Sequence, residues 1–392
     1  MTRGLIFSSA YNLFLVCWLK ESGVLGEHCD VLLSSADDAL AARLRDSGYF
    51  ENVMTLADSN DRGINIIQRY EAMNRILHGS GRVIRGRSRY MELLSPGRFY
   101  GAEIKDWDKY FSHTTIFEGL VPHIDYIRWK NGVVSCWEHG IISVKGSRIR
   151  CYSFPHWADS HSLWLGVHGI GHPRDSLSEL CASRPELADP KLRRQVALTG
   201  IPGITRDNTR FGQAMETLFE IKKDVSLPPG MIYFPHVIKA EEDFLRMERN
   251  FLEEAVEVLG GENITTKVHP YWKGSTLPAG VNPSPLSHIP WEMLVFESGG
   301  CGKRLLAAPY CTTALISPKA YFDEEPYILN LALLFSKSAR DELSKLELEL
   351  ARDVKLLYRN PEKYCIPESW DESREFLRRY RDETLPGDKG RG

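Results

Sequence analysis

Lys267-Val268-His269-Pro270 places an ammonium group and an imidazole where the run ITTKVHP, which reads as a strand, passes straight into a loop. In open α/β sheets ligands bind outside the carboxyl ends of the strands, so His269 is set to meet one. An imidazole there can donate to a phosphate or protonate a phosphate leaving group, and Pro270 fixes the direction in which the chain leaves. The alternative is a histidine that caps a strand end for structural reasons. Trp137-Glu138-His139-Gly140 follows another strand-like run. A carboxylate beside an aromatic ring, partly desolvated, has its pKa raised toward the range of a general base; an exposed turn glutamate is the bland alternative. Cys311-Thr312-Thr313 offers hydroxyls and backbone amides where a loop enters a helix, which makes an anion site or simply an N-cap. Pro290-Trp291-Glu292 places a carboxylate that can accept hydrogen bonds from a ribose.

Other clusters carry less. His156, His161, His168 and His172 fall within one short segment, but Gly169, Gly171 and Pro173 argue against the helix that would bring them onto one face. They read as a loop. Asp106-Trp107-Asp108 fits the D-x-D pattern of metal-dependent nucleotide-sugar enzymes, yet it sits in a polar, surface-like stretch. Gly299-Gly300-Cys301-Gly302-Lys303 lacks the spacing of a phosphate loop.

The elements that position these groups follow a βαβ rhythm. GLIFSS, YNLFLVCWLKE, CDVLLSS and DDALAARLRDSG alternate apolar strands with amphipathic helices, which points to a parallel sheet covered on both faces. INIIQRYEAMNRILHG and RSRYMELL read as further helices, and HIDYIRWKNGVVSCWEHGIISV as strands about a turn at Asn131-Gly132. Residues 151–210 give no clear assignment. The rhythm restarts with MIYFPHV as a strand, EEDFLRMERNFLEEAVEVLG as a helix ended by Gly260-Gly261, and ITTKVHP as a strand. LLAAPYCTTALIS reads as an apolar turn. The expected organisation is an N-terminal Rossmann-like domain, 1–225, on the acceptor side, and a C-terminal donor-binding domain, 231–365, with SLPPG as the linker between them. A helix over 366–385 is expected to pack back on the N-terminal domain, and 386–392 to be a disordered tail.

The chain has 392 residues, enough for two cores, with 43% hydrophobic and 26% charged residues, so it reads as globular. A formal net charge of -3 argues against a dedicated nucleic-acid binder. Eight cysteines without zinc or thioredoxin spacing fit a reduced, cytoplasmic compartment. The first apolar stretch is short and broken by Ser8, Ser9, Tyr11 and Asn12, so it reads as a strand and helix rather than a signal. No run reaches the roughly 20 apolar residues of a membrane span, which leaves only peripheral association with a membrane.

The order of these motifs, an acid-x-Gly element, K-x-H-P, P-x-E and a late hydroxyl pair, resembles the bacterial sialyltransferases of GT-B fold. The separations, about 130 residues from Glu138 to His269 and about 43 from His269 to Thr312, are most similar to the capsular polysialyltransferase branch. The resemblance implies an α/β fold of two Rossmann-like domains facing across a cleft, and metal-independent, inverting transfer from CMP-sialic acid to a glycan acceptor of a capsule, lipooligosaccharide or other surface polysaccharide. It implies Glu138 as general base and His269 as the group that helps CMP depart. Lys267, Pro270, Glu292, Thr312 and Thr313 would bind the donor, the two threonines at the phosphate that His269 also contacts and Glu292 at the ribose. His139 stands where the family has a second acid, and the threonine pair replaces the commoner serines. A CMP-Kdo-dependent transferase of the same fold, or a catalytically silent glycan- or nucleotide-binding protein, are the alternatives. No resident cofactor is implied, because the CMP-sugar is a co-substrate.

Overall fold

A computed structural model describes residues 4–8, 13–25, 28–33, 38–55, 114–116, 134–137, 179–194, 197–221, 226–235, 242–268, 277, 280–335 and 342–385. The chain forms two compact units. The first comprises Met1–Pro202 and Gln213–Glu220, the second Gly203–Gly212 and Ile221–Gly392.

The first unit holds a seven-stranded parallel sheet. Its strands are β1 (Gly4–Ser8), β2 (Cys29–Leu33), β3 (Val53–Thr55), β4 (Thr114–Ile116), β5 (Val134–Trp137), β6 (Glu179–Ala182) and β7 (Ala197–Gly200). They lie in the order β3-β2-β1-β4-β5-β6-β7. The helix α1 (Leu13–Glu21) buries every residue from Leu13 to Leu19, and α2 (Asp38–Asp46) buries Leu40, Ala41 and Leu44. These are the first two βα repeats that the sequence predicts. The helices predicted in INIIQRYEAMNRILHG and RSRYMELL lie outside the described residues, as do the Asn131-Gly132 turn and the His156–His172 segment.

The second unit holds six parallel strands: β8 (Met231–Tyr233), β9 (Ile264–Thr266), β10 (Asn282–Pro283), β11 (Leu305–Ala308), β12 (Tyr327–Asn330) and β13 (Tyr364–Cys365). Their order, β10-β9-β8-β11-β12-β13, is the 3-2-1-4-5-6 pattern of a doubly wound nucleotide-binding fold. Both units are therefore Rossmann-like, the domain make-up of the GT-B class. The amphipathic helix between β8 and β9 runs Glu242–Leu259 and buries Phe251, Leu252, Ala255, Val258 and Leu259 against the sheet.

Two sequence expectations change. LLAA is not an apolar turn but the strand β11, buried at all four positions, and Thr313–Phe322 after it is a helix. A short strand buried on both faces shows no alternation, so its pattern alone cannot separate it from a turn. SLPPG is not a free linker: Leu227 is buried, and its carbonyl accepts from Arg304 Nη2 at 2.9 Å. The C-terminal helix Trp370–Thr384, capped by Ser369, belongs to the second unit. It buries Phe376, Leu377 and Tyr380 in the second unit's core, and Tyr380 Oη donates to Gly230 O at 3.0 Å. The tail 386–392 lies outside the described residues.

Gly230 enters β8 at φ +85°, and a Cβ there would lie 2.1 Å from the Asn263 carbonyl oxygen. Both the left-handed backbone and a clash with main chain oppose a side chain. Gly230→Ala is expected to destabilise the protein by about 3 kcal/mol or more, read as a thermal midpoint lower by at least about 5 °C. An unchanged midpoint would mean that the turn into β8 is built otherwise.

The described cysteines, Cys17, Cys29, Cys181, Cys301, Cys311 and Cys365, are all free thiols. Among the described residues no helix is long and apolar enough to cross a membrane.

Candidate donor site of the second unit

In the 3-2-1-4 order the topological switch falls between β8 and β11, where connections leave the sheet in opposite directions and open a crevice at the strands' carboxyl ends. Of the residues singled out from sequence, Lys267, Glu292, Thr312 and Thr313 are described: Lys267 follows β9, Thr312 and Thr313 follow β11, and Glu292 lies close enough to Lys267 for their charges to interact. Beyond β9, the Lys267 amide donates to Tyr233 O at the end of β8 (2.8 Å), and Lys267 Nζ donates to Ser287 O (3.1 Å). The Val268 amide donates to Ser287 Oγ at 3.2 Å. The exit of β9 is thus stitched to β8 on one side and to the loop leading to Glu292 on the other.

That loop ends at Pro290, and the short helix Trp291–Glu297 begins. Trp291 is buried edge-on against Phe234, just past β8, with ring centroids 5.0 Å apart. Glu292 is only 6% exposed. Burial pushes its carboxyl pKa up; its own backbone amide, the nearby Ser317 hydroxyl and the Lys267 charge pull the other way. Ser317 Oγ lies beside this carboxylate without meeting full hydrogen-bond geometry with any partner. Lys267 is half-buried, and desolvation pushes its pKa down to about 8 against the opposing pull of Glu292. The two charges are coupled, each one displaced toward neutrality by burial.

Thr312 caps the helix Thr313–Phe322 in extended geometry. Its Oγ1 accepts from the Ala314 amide at 3.2 Å and its carbonyl from the Leu315 amide at 3.0 Å. The capping role foreseen for Thr312 is therefore real. Thr313 occupies the first helical position, where a backbone amide has no partner inside the helix. Ser317 belongs to this same helix, so the Thr312-capped helix reaches Glu292, which is coupled to Lys267.

Sequence reasoning missed Ser287 and Ser317. Ser287 lies in a polar loop and Ser317 inside a helix ahead of Pro318, and no motif flags either. Of the remaining predicted residues, β5 ends at Trp137 immediately before Glu138, but Glu138 and His139 lie outside the described residues, as do His269 and Pro270. Asp106 and Asp108 lie outside them too. The glycine-rich stretch 299–303 leads into the amino end of β11, opposite the strand ends that carry the cluster, and the Cys301 amide is already taken by the Glu324 carboxylate at 2.6 Å.

No family model and no curated protein matches the chain. Solved structures similar to it include Spinosyn Rhamnosyltransferase SpnG, at a TM-score of 0.44 and 11% identity over 98% of this chain and 91% of that one. Spinosyn Forosaminyltransferase SpnP matches at a TM-score of 0.43 and 10% identity over 98% and 96%. UDP-N-acetylglucosamine 2-epimerase from Rickettsia bellii matches at 0.41 and 10% over 97% and 95%. By name these are two glycosyltransferases and an epimerase, and none of the three is a sialyltransferase.

Proposed function

We propose that the protein is an inverting glycosyltransferase that moves sialic acid from CMP-sialic acid to a glycan acceptor without a metal ion. The observation that carries this reading is Lys267: a desolvated cation held at the carboxyl end of a strand beside the switch point, coupled to buried Glu292. Keeping a charge there costs stability, and such sites are where binding and catalysis are found.

In this scheme Glu138 removes the proton of the acceptor hydroxyl. The acceptor oxygen then forms its bond to the anomeric carbon as the bond from that carbon to the CMP phosphate oxygen breaks. The phosphate leaves with the bonding electron pair. Its charge is met by a proton from His269, by Lys267, and by the Thr312 and Thr313 hydroxyls at the helix N-terminus, with Pro270 setting the exit of the loop. Glu292 accepts from the ribose, a contact that requires the ligand to reach a carboxylate now largely covered. Attack opposite the leaving group inverts the anomeric centre.

The test is transfer from CMP-sialic acid to a panel of desialylated and capsular glycans, read by product mass. Activity is expected to survive EDTA, because fixed protein groups meet the phosphate charge. Complete loss with EDTA and recovery with a divalent ion would move the assignment to a metal-dependent route. Transfer from CMP-Kdo alone would replace sialic acid as the donor sugar. CMP release no faster than in buffer from either donor would leave a binding protein.

A further inference from the structure

Residues Gly203–Gly212 belong to the second unit, although the chain up to Pro202 and from Gln213 to Glu220 belongs to the first. This short strap lies across the C-terminal ends of two helices. The Ile204 amide donates to Tyr321 O at 2.8 Å. Arg206 donates to Val295 O at 3.4 Å, pairs with the Glu324 carboxylate, and sits 5.3 Å from the Phe322 ring centroid. Phe211 meets Phe296 edge-on, with centroids 5.3 Å apart. Val295 and Phe296 end the helix Trp291–Glu297, and Tyr321 and Phe322 end the helix Thr313–Phe322. The opposite ends of these helices carry Glu292 and the Thr312 cap.

Arg206 is anchored to a fixed carboxylate rather than a swinging one. Glu324 Oε2 accepts from the Cys301 amide at 2.6 Å, and the Glu324 side chain is 15% exposed. The loop closes on it at Gly300, φ +121°, where a Cβ would lie 2.7 Å from Glu324 Oε1. This pair therefore differs from a typical surface ion pair, whose partners move freely and contribute little.

We propose that Arg206 is a positioning residue for the donor site: by holding Val295, Phe322 and Glu324 together it fixes the tilt of both helices, and so the placement of Glu292 and the Thr312 cap. The proposal rests on reading those helix ends as the donor site. A ten-residue helix is about 15 Å long, so a tilt of about 4° at one end moves the other by about 1 Å. A displacement of that size is enough to cost up to about 10²-fold at a catalytic centre.

The test compares wild type with Arg206→Ala, Arg206→Lys and Glu324→Gln in the full chain, by amide hydrogen exchange and by CMP affinity. Arg206→Ala is expected to speed exchange at the Ala314 and Leu315 amides and in Trp291–Glu297 by at least about fivefold, with Glu242–Leu259 and Trp370–Thr384 unchanged. CMP binding should weaken about tenfold, with smaller effects in Arg206→Lys and Glu324→Gln. Equal acceleration in all four helices, or none, would overturn the proposal. So would unchanged CMP affinity despite the local loosening. If wild type binds no CMP, the donor-site reading fails, and the contrast in exchange still decides whether Arg206 orders the two helices.

Discussion

Glu138→Gln is expected to lower sialyl transfer by about 10³-fold while leaving CMP affinity and the thermal midpoint unchanged. The glutamine keeps size and polarity but cannot take a proton, and a positioned general base contributes about 10²–10⁴-fold. Its proposed partners sit on the leaving-group side, so nucleotide binding should not register the change. A variant that transfers at the wild-type rate would remove Glu138 from the chemistry. Equal loss of CMP affinity would make it a structural residue instead.

Lys267→Met is expected to reduce transfer by about 100-fold, the loss seen when one fixed charge-stabilising donor is removed, without lowering the thermal midpoint. The methionine fills similar space but removes a cation that burial disfavours, at the cost of one hydrogen bond to Ser287 O worth about 1 kcal/mol. The pH dependence checks the cause. An unfolded lysine holds its proton to near 10.5, whereas folded Lys267 releases it at about 8. Between those values the unfolded chain binds more protons, so wild-type stability should rise with pH relative to Lys267→Met. Glu292 titrates in the opposite sense: its raised pKa gives stability at low pH that is lost as pH rises through the folded value. A midpoint that falls by more than about 5 °C with activity intact would identify Lys267 as a structural cation.

The parts of the molecule that sequence makes legible are those whose signal is local. The helix Glu242–Leu259 announces itself through five turns of periodic burial and stops at Gly260, and Thr312 and Ser369 cap helices much as their types suggest. The strand β11 hides because Leu305–Ala308 is apolar on both faces. The helix Trp370–Thr384 is recognisable as a helix, but the core that receives Phe376, Leu377 and Tyr380 depends on residues more than a hundred positions away. The same holds for the candidate site. The motif residues Lys267, Glu292 and Thr312 stand out by type and spacing. The covering of Lys267, its stitching to Ser287, and the approach of Ser317 to Glu292 are tertiary facts that no short window contains.

The Tyr380 bond to the Gly230 carbonyl joins the last helix of the second unit to the threshold of its first strand. During synthesis, Met231–Tyr233 and its neighbours must wait, with their apolar face unsealed, until residues through Tyr380 have emerged from the ribosome. The first unit faces no such delay, since its stretches end at Glu220. The nascent chain should therefore pass through a stage with one domain finished and the other still sticky, the stage at which chaperones have most to hold.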